Sequence, residues 1–481
     1  MTTTNRLPTW ALALILLIAA IALRCSVYGN PAPMADDQFY ALVGARMHHG
    51  LLPYVDVWDR KPLGLFLIYY ALAAISPAPV VWQVAATLSA AATALTIARL
   101  AETIPQTPRP AALLAGLTYL ATLGPLDGYS GQSPVFYNLP IALAALLAYR
   151  PTPAKAATTA LLCGLAITIK QTALFESALL LGWILAHTPR AHLIPRALTL
   201  ALLVTLPTLA CATFYAAHHH FAAWWQAMVL SNLVKAPLTA REIHGQAAST
   251  AVRLAPLLAV TLAALATQPK SHARTYLALW LAAATVGFLS VPHYFAHYAL
   301  PALVPLTVTA ASLFARPSAG RPAALALIAW TFVWYHPWDR AWQMHSRTSV
   351  TALASAAVQH DHGRGLLVFD GPTSVYALAN RPFLTPLVFP HHLNQLAERN
   401  VSQFDTNAEV ARVLAAHPGA VISTLAPRNF PVNWTTWRAV QTYVHANCHP
   451  VALVQTWDER FVTPIMVWGD CAPASQDRTP K

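Results

Sequence analysis

Charged residues are scarce in this sequence, and acidic residues are especially so. Of 481 residues only 18 are Asp or Glu, and charged residues together make up 10% of the chain. Soluble domains carry about 25% charged residues. Hydrophobic residues reach 56%, and the mean hydropathy is +0.45. This composition excludes a soluble globular protein and predicts a polytopic α-helical membrane protein.

The sequence also lacks the motifs of several common protein classes. It has no Walker motif, no dinucleotide-binding glycine pattern, no internal repeat and no HExxH zinc motif. The formal charge of +12 is spread singly over short loops, which argues against a nucleic-acid-binding face. His293 and His297 have i, i+4 spacing, but Pro292 precedes them. We expect them to pack or to line a polar cavity, and we predict no metal ion and no other cofactor.

Apolar segments recur along the first two thirds of the chain. A helix needs about 20 apolar residues to cross a bilayer. The first segment is followed by no small-residue cleavage site, so it is expected to remain as a helix. About eleven spans are predicted, near Thr9–Leu23, Pro79–Ala98, Ala111–Leu123, Val135–Ala148, Ala156–Ile169, Ala173–Ala186, Ala197–Ala216, Ala248–Ala266, Tyr276–Val291, Tyr298–Phe314 and Ala323–Tyr335.

Basic residues mark one side of these spans. They fall in every second loop, as the positive-inside rule predicts for cytoplasmic loops. With the N-terminus cytoplasmic, the other loops and the segment after Trp338 lie outside. In a Gram-negative bacterium this is the periplasmic face of the inner (plasma) membrane. The basic residues of the cytoplasmic loops are Arg99, Arg109, Arg150, Lys155, Arg190, Arg196, Lys270, Arg274, Arg316 and Arg321.

The composition changes after Trp338, which predicts two domains. Residues 1–338 are expected to form a transmembrane domain whose first outer loop spans 28–78, and residues 339–481 a small outer α/β domain. Short buried strands and two helices are predicted in the outer domain. The strands are Gly365–Asp370, Ala420–Thr424 and Val462–Trp468, and the helices are Pro390–Glu398 and Thr406–Ala416.

Two of the five cysteines, Cys448 and Cys471, lie in this outer domain, each near a strand-like run. Their spacing alone is equally compatible with a disulfide and with two free thiols. The outer location favours the disulfide, because an exported compartment is oxidising.

The first outer loop holds an unusual share of the few charges. The stretch from Asp36 to His49 has apolar residues at helical spacing and predicts a helix along the membrane surface. Lys61-Pro62 opens a second apolar helix, Leu63–Ile75, which is too short to cross comfortably and is expected to be interfacial or re-entrant. The charged residues of the loop are Asp36, Asp37, Arg46, Asp56, Asp59, Arg60 and Lys61.

These charges suggest chemistry at the membrane surface. Asp36 and Asp37 begin a helix, where a carboxylate is stabilised by the helix dipole and can act as a general base. A helix cap with a solvated acid is the simpler alternative. Lys61 precedes an apolar helix, where it can meet the phosphate of a lipid whose tail enters the membrane. A snorkelling lysine is its simpler alternative. Finding both features on one short loop favours a catalytic site.

The run from Asp36 to Gly64 resembles the first outer loop of the bacterial GT-C glycosyltransferases of family 39. This is the superfamily of protein O-mannosyltransferases and aminoarabinose transferases, with an RgtA/B/C/D-like branch. The loop has the acidic pair, a Tyr four residues after the first acid, a Gly-x-x-Pro-Tyr turn and a Lys-Pro motif. Three further segments are similar to that branch: Gly164-Leu165-Ala166 with Lys170-Gln171, His293-Tyr294 with His297-Tyr298 and Pro301, and Tyr376-Ala377-Leu378 followed by Asn380-Arg381-Pro382.

The resemblance implies a GT-C enzyme that transfers a sugar, with inversion, from a polyprenyl-phosphate donor to a lipid, polysaccharide or protein acceptor on the outer membrane face. Such an enzyme is a hexosyl- or pentosyltransferase and needs no nucleotide site. The resemblance assigns Asp36 to take the proton of the acceptor hydroxyl, Asp37 to be its acidic neighbour and Lys61 to contact the donor phosphate. The other implied substrate-binding residues are Tyr40, Asp59, Arg60, Lys170, His293, His297 and Tyr298.

Two residues depart from the family pattern. Phe39 stands where the aminoarabinose branch has an Arg, so the phosphate contacts are expected to be rearranged. Pro134 stands where many RgtA-like sequences have a Glu, so the acceptor-side or structural carboxylate of those sequences is not expected here.

Two other classes remain open from the sequence. A transporter or flippase of lipid-linked sugars would also be polytopic, but it should carry ionisable groups near the midplane of its helices. Here the spans are nearly uncharged, with Glu176 the main exception. A structural or assembly protein would leave the charged first loop without a role.

Overall fold

The computed structural model describes residues 8–234, 236–428, 431–458 and 461–472, and helices dominate it. Before Trp338 the described α-helices are α1 (Thr9–Arg24), α2 (Ala35–Met47), α3 (Leu63–Ile75), α4 (Pro79–Thr103), α5 (Arg109–Leu123), α6 (Ser133–Ala148), α7 (Pro153–Ile169), α8 (Ala173–Ala186), α9 (Leu193–Ala217), α10 (Phe221–Trp225), α11 (Ser231–Val234), α12 (Ala240–Thr267), α13 (His272–Leu289), α14 (Leu303–Phe314) and α15 (Gly320–Trp334). A π-helical turn, Gln226–Leu230, joins α10 to α11, and short 3-10 turns occupy Cys25–Val27, Gly124–Leu126, Arg190–His192 and Ala296–Ala299.

Each predicted span coincides with one of these helices, mostly with ends that differ by a few residues. Within the described residues, four helical segments are long and apolar enough to cross a membrane: Thr9–Val27, Pro79–Thr103, Arg190–Ala217 and Ala240–Thr267. Helices α3, α6, α7, α8 and α14 are shorter and also apolar. The prediction of a multi-pass helical membrane protein is confirmed.

Helix α9 shows why these helices need a lipid environment. Large side chains are exposed along one broad face, with Ile194 at 72%, Leu198 at 67% and Leu202 at 60% of their maximal accessible surface. Each buried apolar square ångström contributes about 25 cal/mol in water, so a helix left exposed in this way would be unfavourable in a soluble protein. Lipid around α9 removes that cost.

Proline sets the start of several helices. It occupies the first turn of α4, α5, α6 and α7, at positions 79, 110, 134 and 153. There its missing N–H costs nothing and its fixed φ already suits the helix. Pro134 therefore begins α6 and is buried.

The two helices of the first outer loop form as predicted, although α2 ends at Met47, slightly before His49. Gly44 of α2 lies against α3, where a Cβ at this position would stand 2.6 Å from the backbone carbon of Tyr69. The two helices therefore pack closely, and both begin beside the same space.

The membrane-spanning bundle has two distinct ends. At one end, Arg109 contacts the hydroxyl of Thr9 at 2.9 Å and pairs with Glu102 at 2.8 Å. At the other end, α1 finishes at Arg24, shortly before the charged first loop. The basic loop that includes Arg109 and the Asp36 loop therefore lie at opposite ends of the first helix.

After Trp338 the structure is mixed. Its elements are α16 (Arg340–His360), β1 (Leu366–Val368), α17 (Ser374–Leu378), α18 (Pro390–Asn394), α19 (Thr406–Ala415), β2 (Ala420–Thr424), α20 (Trp434–Asn447), β3 (His449–Asp458) and β4 (Phe461–Gly469). The strand order is β1-β2-β4-β3, with β1 and β2 parallel and the other pairs antiparallel. This confirms a small α/β unit at the C-terminal end.

Four of these elements were absent from the sequence prediction: α16, α17, α20 and β3. Helix α20 is rich in aromatic, Thr and Val residues, which have modest helix propensity. It forms because Trp437, Val440 and Val444 are buried and because α20 packs against α18 and α19. Strand β3 forms because β4 pairs with it along its whole length and α16 covers it.

Cys448, at the end of α20, and Cys471, just after β4, are joined by a disulfide in the structure. The bond links the start of β3 to the end of β4, two segments that already lie next to each other in the sheet. The other three cysteines, at positions 25, 163 and 211, are free.

Candidate active site

Asp36 and Lys61 lie together at the start of α2 and α3. Lys61 Nζ is 4.0 Å from Asp36 Oδ1 and 3.9 Å from Asp59 Oδ1. The side chains of Asp36 and Lys61 keep about a fifth of their surface accessible, 20% and 22%. The pair is therefore shielded by protein yet open to a small ligand.

The backbone before α3 sets the position of Lys61. Asp59 Oδ1 accepts hydrogen bonds from the backbone N–H groups of Arg60 and of Lys61, the latter at 3.0 Å. Aspartate favours such turns, in which its side chain bonds to the backbone that follows it. The Tyr54 hydroxyl donates to the carbonyl of Lys61 at 2.7 Å. Asp59 is thus both a partner of the Lys61 ammonium and the residue that shapes its loop.

Residues distant in the sequence complete the site. His297, in the turn before α14, has Nε2 3.8 Å from Asp36 Oδ2. Lys170, between α7 and α8, has Nζ 4.4 Å from the centre of the Tyr298 ring, a cation–π distance. The site therefore brings together α2, the loop before α3, the α7–α8 junction and the turn before α14.

The charges of these groups are strongly coupled. Burial alone would raise the pKa of Asp36, but Lys61 and then His297 and Lys170 lower that pKa to about 2. Burial lowers the pKa of His297 to about 3 and, with repulsion from Lys61, the pKa of Lys170 to about 7. Burial opposes the charge of Lys61, yet Asp59 and Asp36 raise the pKa of Lys61. At neutral pH the site holds an ionised Asp36, a charged Lys61, a neutral His297 and a Lys170 poised between its two forms.

Asp37 faces a different neighbour. Successive residues on a helix point about 100° apart, so Asp37 cannot share the surroundings of Asp36. It is fully buried and its Oδ2 accepts the backbone N–H of Gly131 at 2.9 Å. Burial raises the pKa of Asp37 to about 7 despite this bond. The structure places Asp37 behind the site, as the residue that ties α2 to the loop before α6.

Arg24 is a residue that the sequence analysis did not single out. It is buried at the end of α1 and donates to the carbonyls of Gly128 and Ser130 and, at 3.3 Å, to the Thr87 hydroxyl. It therefore holds the loop that presents Gly131 to Asp37. The available signal was a single arginine that ends an otherwise uncharged span, a position where an ionisable group is costly and often functional.

Arg60 points toward the C-terminal part of the chain. Its guanidinium forms an ion pair with Glu398, in the 3-10 turn Leu396–Glu398. Nearby, the backbone N–H of Trp58 donates to the carbonyl of Pro386 at 2.8 Å. Arg60 is beside Lys61 in the sequence, but in this structure its charge is used to join the first loop to the segment after Trp338.

The aromatic residues of the loop have separate roles. The Tyr40 ring lies 5.5 Å from Lys61 Nζ. Its hydroxyl is buried and has no hydrogen-bond partner among the residues that the structure describes. Phe39 packs away from the lysines, with its ring 5.3 Å from Phe389 and 6.4 Å from Phe66. An Arg at position 39, as the family pattern has it, would therefore lie next to Phe389, in the segment after Trp338.

His293 lies further from Asp36 than His297 does. Its ring stacks on Phe295 at 6.2 Å, and Phe295 in turn stacks on His297 at 5.9 Å. His293 is thus placed behind His297 in a row of rings. In the described part of the chain, no group of three His, Cys, Asp or Glu side chains has the arrangement of a metal site.

The Tyr376 to Pro382 segment also lies outside the charged cluster. Arg381 pairs with Asp361 through two of its guanidinium nitrogens. The backbone carbonyl of Arg381 accepts a hydrogen bond from Arg46 Nη2 at 2.9 Å. The Tyr376 hydroxyl accepts the backbone N–H of Val368 at 2.9 Å. These residues brace the C-terminal unit and connect it to α2.

Comparison with known proteins places this architecture in a class. No family model and no curated protein matches the sequence. Among solved structures, the chain is similar to the crystal structure of ArnT from Cupriavidus metallidurans bound to undecaprenyl phosphate, with a TM-score of 0.66 over 96% of this chain and 98% of that chain. The sequence identity is 12%, so the likeness concerns the fold.

The chain therefore has the GT-C glycosyltransferase fold, as the resemblance of its first loop implied. The narrower assignment of this chain to family 39 stays a prediction.

Proposed function

We propose that this protein is a membrane glycosyltransferase that takes its sugar from a polyprenyl-phosphate donor and passes it to a hydroxyl of a lipid, polysaccharide or protein. The observation that carries the proposal is the Asp36–Lys61 pair, 4.0 Å apart, with Lys170 and His297 around it. The support from comparison is that a solved structure with this fold holds undecaprenyl phosphate. A base beside two cations suits transfer from a lipid phosphate.

The two lysines are the proposed holders of the donor phosphate. Lys61 and Lys170 come from different elements and both interact with Asp36. A phosphate between them would give each lysine an anionic partner and would raise the pKa of Lys170, so that it carries its full charge when the donor is bound. The lipid tail would follow α3, which starts just after Lys61 and exposes Leu67 and Ile75, at 45% and 75%.

Asp36 is the proposed general base. The acceptor oxygen attacks the anomeric carbon on the face opposite the phosphate, and its proton passes to Asp36. The bond from the anomeric carbon to the phosphate oxygen breaks, and its electron pair leaves with the polyprenyl phosphate, so the configuration inverts. Lys61 and Lys170 stabilise the charge that develops on the leaving phosphate.

Donor binding also prepares the base. In the free site the lysines hold Asp36 as a weak base, since the positive charges of Lys61 and Lys170 lower its pKa. A bound phosphate offsets the positive charge of the lysines, so the pKa of Asp36 rises toward its ordinary value. A neutral His297, with Nε2 3.8 Å from Asp36 Oδ2, then lies beside the carboxylate without adding charge.

The site is proposed to face the outside of the cell, in a Gram-negative bacterium the periplasm. The support is the arrangement of charge: Arg109 and Glu102 cluster at the Thr9 end of α1, whereas Asp36 and the C-terminal unit lie beyond its other end. Basic residues stay preferentially on the cytoplasmic side.

A direct assay tests the proposal. The purified chain in lipid nanodiscs is given a panel of polyprenyl-phosphate hexoses and pentoses together with a bacterial envelope extract as the source of acceptor hydroxyls, and release of polyprenyl phosphate is followed by mass spectrometry. We expect at least one donor to be consumed by the wild type and not by Asp36→Asn. If no donor is consumed, and donor binding is also unchanged in Lys61→Ala and Lys170→Ala, the proposed site is wrong.

A further inference from the structure

Glu176 is a buried acid that the proposed reaction does not use. It lies in the first turn of α8 and is 2% exposed. Trp280 Nε1 donates to its Oε1 at 2.7 Å. Among the residues that the structure describes, its Oε2 has no hydrogen-bond partner, and no Lys or Arg pairs with it. Burying a carboxyl group without full pairing is costly, so the free oxygen indicates a place for a further polar group.

The Glu176 carboxyl group borders a cavity that holds other hydrogen-bonding groups. The cavity has a volume of about 210 Å³ and lies between α6, α8, α13 and the segment just before α14. On its wall the hydroxyls of Tyr137 and Thr172 are 3.4 Å apart. Hydroxyl and carboxyl groups beside apolar surface suit a ligand with hydroxyls on its edge and C–H groups on its faces. The rest of the wall is formed by Ala284, Gly287, Phe288, Tyr298 and Pro301.

Tyr298 connects this cavity with the charged site. Its ring centre lies 4.4 Å from Lys170 Nζ, and the same residue borders the cavity. Along the chain, Thr172 of the cavity wall follows Lys170 by two residues, and Glu176 comes about one helical turn later. The cavity is therefore adjacent to the place proposed for the donor phosphate.

We propose that this cavity is the subsite for the sugar of the donor and that Glu176 accepts a hydrogen bond from one sugar hydroxyl. In a polyprenyl-phosphate sugar the anomeric carbon is bonded to a phosphate oxygen, so the ring begins next to the phosphate. With the phosphate at Lys61 and Lys170, the C–H face of the ring packs on Tyr298 and its far hydroxyls reach Thr172 and Glu176.

This inference rests on the proposed function and adds to it the residue that selects the sugar. A site built to bond a hydroxyl discriminates strongly against an analogue that lacks this hydroxyl, because the buried protein group is then left unpaired. Glu176 would therefore favour donors that carry a hydroxyl at one ring position.

Binding measurements with three kinds of ligand test the subsite. The chain in nanodiscs is titrated with polyprenyl phosphate, with the polyprenyl-phosphate hexose or pentose that the wild type binds most tightly, and with monodeoxy analogues of that donor. Native mass spectrometry gives each Kd. Trp280→Phe is the reference protein, because it removes the indole N–H and keeps the carboxyl group. Glu176→Leu is added to it, so that no indole N–H is left unpaired.

We expect the double variant to bind the sugar donor about tenfold more weakly than Trp280→Phe does, with the same affinity for polyprenyl phosphate. One monodeoxy analogue should bind equally to both proteins, since it lacks the hydroxyl that Glu176 accepts. If the double variant does not fold, Tyr137→Phe takes a hydroxyl from the cavity wall, keeps the ring and gives the same comparison against the wild type.

Two results would overturn the sugar subsite. Equal losses for the donor and for polyprenyl phosphate would show that Glu176 only supports the fold through Trp280. No loss for either ligand would show that the cavity takes no part in donor binding.

Polyprenyl phosphate alone tests the proposed function separately. If its affinity falls in Lys61→Ala while the Glu176 comparison shows no loss specific to the sugar donor, the phosphate site stands and only the sugar subsite is wrong. If its affinity is the same in the wild type and in Lys61→Ala, the phosphate site is wrong and the subsite fails with it.

Discussion

Gly64 lies against Thr168: a Cβ at position 64 would stand 2.6 Å from the carbonyl oxygen of Thr168. Gly64 follows Lys61 by three residues at the start of α3, and Thr168 precedes Lys170 at the end of α7. The close approach of these two backbones is therefore what brings the two lysines to the same space.

Replacing Gly64 by Ala should separate α3 from α7. We expect a loss of about 1–3 kcal/mol of stability, since a small-to-large change at a closed contact forces the backbone to move, and a larger relative loss in donor binding. Gly182→Ala is the matched control, because a Cβ there meets nothing within 4 Å. Thermal unfolding and donor titration measure both effects. Equal behaviour of the two variants would contradict the proposed role of the contact.

Asp36→Asn should lower the rate of sugar transfer by about 10²–10⁴-fold, the usual contribution of a general base. Folding and donor binding should stay largely intact. Asp37→Asn should be milder in turnover, because Asp37 contacts Gly131 and not the lysines. Single-turnover rates with a polyprenyl-phosphate sugar make the comparison. If the whole loss occurred in the Asp37 variant, the roles of the two carboxylates would have to be exchanged.

Lys61→Ala should weaken donor binding as well as turnover, because its partner is the phosphate in both the ground state and the transition state. Both KM and kcat are therefore expected to change. Lys155→Ala serves as the control, since Lys155 is exposed in the first turn of α7, at the opposite end of that helix from Lys170. A Lys61→Ala enzyme with unaltered KM for the donor would remove Lys61 from the phosphate site.

Lys170 should make kcat/KM for the donor depend on pH. Burial lowers its pKa to about 7, so the free site loses this cation as pH rises through 7, and kcat/KM for the donor should fall. Lys170→Arg keeps its charge throughout this range and should flatten the profile. A profile that is the same in both proteins would exclude Lys170 from donor binding.

The same pKa shift has a consequence for stability. Because the folded pKa of Lys170 is below that of the unfolded chain, the unfolded state binds more protons between about pH 7 and 10, and the free energy of unfolding contributed by this group rises with pH across that window. Lys170→Met should remove this slope, which unfolding measured as a function of pH would detect.

The disulfide between Cys448 and Cys471 should be present in protein from an oxidising compartment. Its loop of 23 residues corresponds to about 3 kcal/mol in the chain-entropy model. Cys448→Ser with Cys471→Ser should therefore lower the thermal midpoint of the C-terminal unit more than it changes transfer. Peptide mass spectrometry without reduction checks the bond, and two free thiols there would refute it.

The sequence by itself determined the order and the approximate positions of the helices in the membrane part. Long apolar runs, and prolines in the first turn of α4 to α7, act locally, so their effect can be read without knowing the fold. The helices α2 and α3 of the first loop were predictable for the same reason, and the density of charge between them identified Asp36 and Lys61 as candidates.

Only the tertiary structure decided which of those charges meet. That Asp36 faces Lys61 and His297 while Asp37 faces Gly131 depends on the rotation of α2, and that Arg60 pairs with Glu398 depends on a segment more than three hundred residues away. The sequence marks Arg24 only as a single charge at the end of a span, and its role follows from the carbonyls it holds. Such contacts join residues distant in the chain, and a local pattern carries no information about which distant partner will compensate a buried charge.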